Sequence, residues 1–83
     1  MPTADDGIEG RVCALITRTF GLPPNQSAND LRMGAVPGWD SMGHMNLIVE
    51  LENEFGVSFP TPQIAELVDV PSICRGVVEG RAA

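Results

Sequence analysis

The sequence predicts an all-α domain: a four-helix bundle with a long first loop and a short third helix. Three observations support this fold class. Apolar residues recur at helical spacing in several segments, and Pro, Gly and capping residues separate those segments. The strand signal is weak, because the run 57–59 is short and stops at Pro60. A length of 83 residues suits a single domain over 1–83 with a modest core.

The first helix is predicted from Ala4 to Phe20. Its apolar residues form one stripe at helical spacing: Ile8, Val12, Leu15, Ile16 and Phe20. Thr3 and Asp6 resemble a weak capping box. Gly21, followed by prolines at 23 and 24, marks the end of the helix.

The segment 21–39 is predicted to be a long loop, since it is rich in Pro, Gly, Asn and Asp. Loops of this length are uncommon, and they are often functional or held by their own side chains. The expected anchors are Leu31, Met33, Val36 and Trp39. Trp39 should lie over the core with its indole N–H on a polar group or water, and the alternative is an exposed residue that contacts a partner.

The second helix is predicted from Ser41 to Phe55, with Asp40 and Ser41 as possible N-caps and Gly56 after its end. A short third helix follows, with Thr61 as N-cap and Pro62 at the first helical position. It is expected to include the apolar residues Ile64, Leu67 and Val68.

The fourth helix is predicted to start near Asp69 as its cap, with Pro71 in the first turn. Its apolar face consists of Ile73, Cys74, Val77 and Val78.

Cys74 and Cys13 are expected to be small buried hydrophobes with reduced thiols. Two cysteines with one histidine leave a zinc site one ligand short.

The second helix carries two separate apolar faces on a helical wheel. Leu47, Ile48, Leu51 and Phe55 form the wider arc and should face the core. Met42, Met45 and Val49 form a second arc, here called the apolar strip. It is either the edge of the core or an exposed docking surface, to which flexible methionines are well suited.

The charge excludes several partners. Lys+Arg number 5 and Asp+Glu number 11, which gives a net charge of −6. Nucleic acid and anionic membrane surfaces are therefore not expected partners, whereas basic patches on other proteins are.

The sequence shows neither a signal peptide nor an apolar run long enough to span a bilayer, so a cytoplasmic location is expected.

The segment from Gly38 to Met42 (Gly-Trp-Asp-Ser-Met), followed by the core face of the second helix, closely resembles the acyl carrier protein family. The family signature is Asp-Ser-Leu at the start of the second helix, and the similarity covers roughly the whole chain. The resemblance implies an acyl-carrier-protein-like bundle. It also implies that Ser41 carries a 4′-phosphopantetheine arm derived from coenzyme A, with Asp40 as the acidic neighbour that a transferase recognises.

The resemblance also assigns a partner surface. Met42, Met45 and Val49 would contact partners, Glu50 and Glu54 would form an acidic rim, and Phe59 would contribute from an adjacent loop. The implied partners of this non-catalytic monomer are a phosphopantetheinyl transferase, an acyl-loading enzyme (an acyltransferase or an adenylating ligase), and a ketosynthase or other acyl-processing enzyme.

The sequence departs from the family pattern at several positions. Met42 replaces the usual leucine, and Asn46 and Asn53 stand where acids are frequent. Trp39 before Asp40, and Gly43-His44 after Met42, resemble free-standing carriers of specialised metabolism, such as polyketide biosynthesis. Met42 leaves an aminoacyl or peptidyl carrier open.

Two readings outside the carrier class remain. One is an unmodified acidic docking module in which Ser41 is a plain N-cap. The other is a hydrolase that uses Ser41 with His44, three residues later on the same helix, beside Asp40.

Overall fold

The computed structural model describes residues 4–23 and 27–82, and it describes only the backbone of 4–6 and of 81–82. Within these residues the chain forms four α-helices and one short 3₁₀ helix, so the predicted all-α class is confirmed. The helices are α1 (Ala4–Phe20), α2 (Ser41–Phe55), α3 (Thr61–Ile64) and α4 (Val70–Ala82), and the 3₁₀ helix spans Ala28–Asp30. No described helix has the length and apolar character needed to cross a membrane.

The core lies where α1 packs against both α2 and α4. The predicted stripe of α1, except for the half-buried Phe20, and the wider apolar arc of α2 are buried in it, as the helical periodicity requires. The buried apolar residues are Ile8, Val12, Leu15, Ile16, Leu31, Val36, Trp39, Leu47, Ile48, Leu51, Phe55, Val57, Phe59, Leu67, Val70, Ile73 and Val77.

The loop between α1 and α2 is held on the core by the predicted anchors. Leu31, Val36 and Trp39 are buried, and Met33 is half-buried. The Met33 amide donates to the Val68 carbonyl over 2.8 Å, which ties the loop to the segment before α4. Backbone bonds and apolar anchors therefore replace regular secondary structure in positioning the start of α2.

Both ends of α2 lie where the sequence predicts them. Asp40 is the N-cap, and its Oδ1 accepts a hydrogen bond from the Gly43 amide at 2.9 Å. At the other end, Gly56 adopts the left-handed conformation with φ of 65°, which glycine reaches without steric cost. These two caps fix the helix on which the candidate site lies.

The predicted bounds of α3 are wrong. Pro60, not Thr61, is the N-cap, and it makes no side-chain capping bond. The helix ends at Ile64, since the Leu67 amide bonds to the Ile64 carbonyl three residues earlier and the helical pattern does not continue. Leu67 is still buried, because a turn brings it to the core as a longer helix would. A helix of one turn gains little from its own backbone bonds and depends on packing.

The predicted cap of α4 is confirmed. Asp69 Oδ1 accepts from the Ser72 amide at 3.0 Å, while Ser72 Oγ accepts from the Asp69 amide at 3.2 Å. Each side chain thus accepts a hydrogen bond from the backbone amide of the other residue, as in a capping box. Hydrogen bonds from the Ser72 side chain and backbone lower the pKa of Asp69 below its usual value. The weak box predicted at Thr3 and Asp6 lies outside the described side chains.

Candidate functional site

Ser41 is the first residue of α2, and it is exposed. Because Asp40 caps the helix, the Ser41 hydroxyl is not needed for that purpose. Among the described residues, no hydrogen bond involves Ser41 Oγ. The plain N-cap reading of Ser41 is therefore wrong, and its hydroxyl is accessible on a rigid element.

The electrostatics at this end of α2 suit an anion. The amides of Ser41 and Met42 belong to the first turn of the helix, where N–H groups have no intrahelical acceptor. The helix dipole adds a partial positive charge at the same end. A phosphate ester on Ser41 would thus lie where backbone groups favour its charge.

A buried histidine supports the turn that presents Ser41. The Trp39 indole N–H donates to His44 Nδ1 at 2.9 Å, and His44 Nε2 lies 2.8 Å from the Ile64 carbonyl oxygen. Since an indole N–H can only donate, Nδ1 must be the acceptor, and the ring proton is on Nε2, which donates to Ile64. The expected burial of Trp39 over the core is confirmed, and His44 supplies the polar partner for its indole.

The same geometry bears on the hydrolase reading. Both ring nitrogens of His44 are engaged, one by Trp39 and one by Ile64. Asp40 is bonded to the Gly43 amide rather than to the imidazole. The structure therefore does not bring Ser41, His44 and Asp40 together as a nucleophile, a base and an orienting group.

Gly43 allows the loop to approach α2 closely. A Cβ added there would overlap the Gly38 carbonyl oxygen and would lie 3.0 Å from the Phe20 ring. Gly38 itself has φ of 89°, a conformation that favours glycine. Sequence reasoning assigned no role to either residue, because the contact depends on how the loop folds back onto the helix.

The apolar strip is on the surface. Met42 is 82% exposed, Met45 is 50% exposed and Val49 is 53% exposed. The edge-of-core interpretation is therefore wrong, because a residue of the core edge would be largely covered. Three exposed apolar side chains therefore lie on one face of α2, next to Ser41.

The two acidic residues predicted for the rim differ in their surroundings. Glu50 is exposed, and among the described residues no ion pair involves it. Glu54 pairs with Arg11 of α1 at 3.1 Å, and the guanidinium also lies 4.5 Å from the centre of the Phe55 ring. The Arg11 charge thus offsets that of Glu54 and leaves Glu50 as the stronger candidate for a rim contact.

The prediction that Phe59 contributes to the partner surface is contradicted by its burial. Its side chain is 7% exposed and lies beside Gly76 of α4. Its amide donates to Glu52 Oε2 at 2.9 Å. The segment after α2 turns this ring inward because the small Gly76 leaves space for it, so Phe59 stabilises the fold rather than offering a direct contact.

The two cysteines are half-buried, and within the described part of the chain no disulfide joins Cys13 to Cys74. Burial, and then the nearby charge of Glu9, raise the pKa of the Cys13 thiol, which makes it less reactive. In the described residues, no cluster of three or more His, Cys, Asp or Glu side chains could hold a metal ion.

Comparison with known proteins gives similarity over most of the chain. An acyl carrier protein of Chloroherpeton thalassium is 28% identical over 74 residues, which are 89% of this chain and 92% of that protein. An acyl carrier protein of Rickettsia bellii is 27% identical over 77 residues, which are 93% of this chain and 95% of that protein.

A non-reducing polyketide synthase, pigA of Monascus ruber, is 31% identical over 72 residues, which are 87% of this chain but 3% of that much longer protein. No family model matches the chain. The resemblance to acyl carrier proteins predicted from the sequence is nevertheless confirmed by these relatives.

Proposed function

We propose that this chain is an acyl carrier protein that holds acyl groups as thioesters on a 4′-phosphopantetheine arm attached to Ser41. The observation that carries the proposal is the exposed Ser41 hydroxyl at the start of α2, left unused by the Asp40 cap. The similarity to acyl carrier proteins over about nine-tenths of the chain supports the same function.

The residues around Ser41 fit the attachment reaction. Ser41 Oγ attacks the phosphorus of coenzyme A that bears the pantetheine, and the bond from that phosphorus to 3′,5′-ADP breaks. The hydroxyl proton passes to a base on the phosphopantetheinyl transferase. A phosphodiester on Ser41 would lie at the N-terminus of α2, where the free amides and the dipole favour an anion. The arm supplies the thiol that forms thioesters with the cargo.

The apolar strip and Glu50 form the proposed recognition surface for partner enzymes. Flexible methionines can repack against several partners, which a carrier must bind in turn. An acidic residue beside them would meet a basic rim around an apolar notch and speed the encounter. The partners are the transferase, an acyl-loading acyltransferase or adenylating ligase, and a ketosynthase or other acyl-processing enzyme.

We place the carrier in polyketide or related specialised biosynthesis. The similarity to part of a polyketide synthase supports this choice, as do Asn46 and Asn53 at positions where acids are frequent in carriers of fatty acid synthesis. An aminoacyl carrier loaded by an adenylating enzyme would have the same modified serine. The mass of the cargo on the protein from its own cell separates the two.

Loading in vitro tests the proposal. The protein is incubated with coenzyme A and a phosphopantetheinyl transferase of broad specificity, and its intact mass is measured. The wild type should gain one phosphopantetheine arm, and Ser41→Ala should gain none. Ser58→Ala is the matched control, because Ser58 is also exposed but lies in the segment between α2 and α3. An unmodified wild type would instead favour the docking module.

A further inference from the structure

We infer that His44 is a positioning residue for Ser41: its neutral imidazole, with the proton on Nε2, ties the serine-bearing turn to α3. The inference rests on the proposed function, because Ser41 is the group whose position would matter. It goes further by assigning a role in that function to a buried residue outside the predicted partner surface.

His44 holds the two residues that precede Ser41. Its backbone amide donates to the Asp40 carbonyl at 2.7 Å, which closes the first turn of α2. Its Nδ1 accepts the Trp39 indole N–H at 2.9 Å. His44 is 6% exposed, so water cannot readily replace its bond to the Asp40 carbonyl or its bond to the Trp39 indole.

The other ring nitrogen extends the connection to α3. His44 Nε2 is 2.8 Å from the carbonyl oxygen of Ile64, the last residue of that helix. The same carbonyl also accepts from the Leu67 amide at 3.2 Å, so His44 is its second donor, and α3 is a single turn that has no side-chain cap at its start. The imidazole therefore gives this short helix a fixed partner on α2.

The ring stack continues the connection to α1. The Trp39 ring stacks on Phe20 of α1, with the two ring centres 5.6 Å apart, and its N–H edge faces the near-parallel His44 ring, whose centre is 6.2 Å away. The interplanar angles are 16° and 15°. Since the Trp39 indole is buried, replacing His44 with an apolar residue would leave its N–H without a partner and would remove one of the two donors to the Ile64 carbonyl, the Leu67 amide being the other.

The consequence for function follows from preorganisation. A transferase must bring Ser41 Oγ within bonding distance of a phosphorus atom, and small misplacements of a reacting group cost large factors in rate. A turn held from α1, α2 and α3 presents the hydroxyl in one geometry. Loosening that turn should slow loading even when the helices remain formed.

The tautomer provides a direct spectroscopic test. The chain has one histidine and one tryptophan, so their side-chain signals need no assignment by mutation. A long-range ¹H–¹⁵N NMR spectrum of the wild type at neutral pH should show the Nε2–H tautomer alone. A mixture of tautomers, or a proton on Nδ1, would overturn the inference.

Loading kinetics test the positioning role. His44→Leu should lower kcat/KM of the transferase for this carrier by roughly 10-fold or more, since the geometry of Ser41 is loosened. The change should shift the emission of Trp39. His44→Gln, whose amide offers both an acceptor and a donor, should recover much of the loss. Loading of folded His44→Leu at the wild-type rate would overturn the inference.

A second variant covers the case in which His44→Leu does not fold. Trp39→Phe keeps an aromatic ring against Phe20 but removes the N–H that His44 Nδ1 accepts, so it should slow loading while the helical circular dichroism is retained. Unchanged loading of this variant would contradict the positioning role. If the wild type itself is not loaded, the proposed function fails instead, and the two failures are therefore distinguishable.

Discussion

At the scale of single residues, the site depends on which neighbour takes the capping role. The sequence offers Asp40 and Ser41 as equivalent caps, and the structure assigns the cap to Asp40 through its bond to the Gly43 amide. That assignment leaves the Ser41 hydroxyl available. Gly43 supports this arrangement in two ways. Its amide donates to the Asp40 cap, and its lack of a side chain lets the Gly38 carbonyl pack against the helix.

Gly43→Ala should destabilise the protein by about 1–3 kcal/mol, the usual cost of forcing an extra methyl group into a packed contact. Gly10→Ala is the control, since Gly10 lies within α1, is exposed, and has open space where a Cβ would be placed. That change should stabilise by roughly 0.5–1 kcal/mol through helix propensity. Urea unfolding measures both, and equal effects would contradict the close approach.

At the scale of elements, periodicity was sufficient to predict α1 and α2 because each buries one regular stripe. Capping residues gave their ends and the start of α4. Periodicity failed at α3, where Leu67 reaches the core from a turn. It also could not place Phe59, because the burial of that ring depends on the space beside Gly76, a contact between segments distant in sequence.

The cap of α4 predicts a pH dependence. Asp69 has a folded pKa below its ordinary value of about 3.9, so the carboxylate stabilises the fold above that pH and loses this contribution as pH falls through the folded pKa. Asp69→Ala should therefore cost about 1 kcal/mol at pH 7. The difference from wild type should shrink between pH 5 and pH 2, and urea unfolding that gives a constant difference would argue against the cap.

The apolar strip of α2 predicts a separation of function from stability. Met45→Glu should reduce turnover by a partner enzyme, because a charge would have to be desolvated in an apolar contact. The unfolding midpoint and helical circular dichroism should stay close to those of the wild type, since Met45 is half exposed. Val78→Glu on α4 is the control, being also an exposed apolar residue, and it should leave turnover unchanged.

At the scale of the whole molecule, the small size and the charge of −6 are compatible with a carrier, which needs a rigid bundle and one exposed hydroxyl rather than a catalytic cleft. The class of fold could be predicted from the sequence, because caps, amphipathic helices and loops are local features, whereas the role proposed for Ser41 rests on the resemblance to acyl carrier proteins. The contacts of Trp39 with Phe20 and His44 could not be predicted, because they join three segments through tertiary packing.

The most direct test of the central claim is the mass of this protein isolated from its own cell, followed by fragmentation of the tryptic peptide 33–75. That peptide contains Ser41, Ser58 and Ser72. We expect a phosphopantetheine arm, with or without an acyl group, on Ser41. An unmodified peptide, or an arm on Ser58 or Ser72, would contradict the claim that this chain is a carrier working through Ser41.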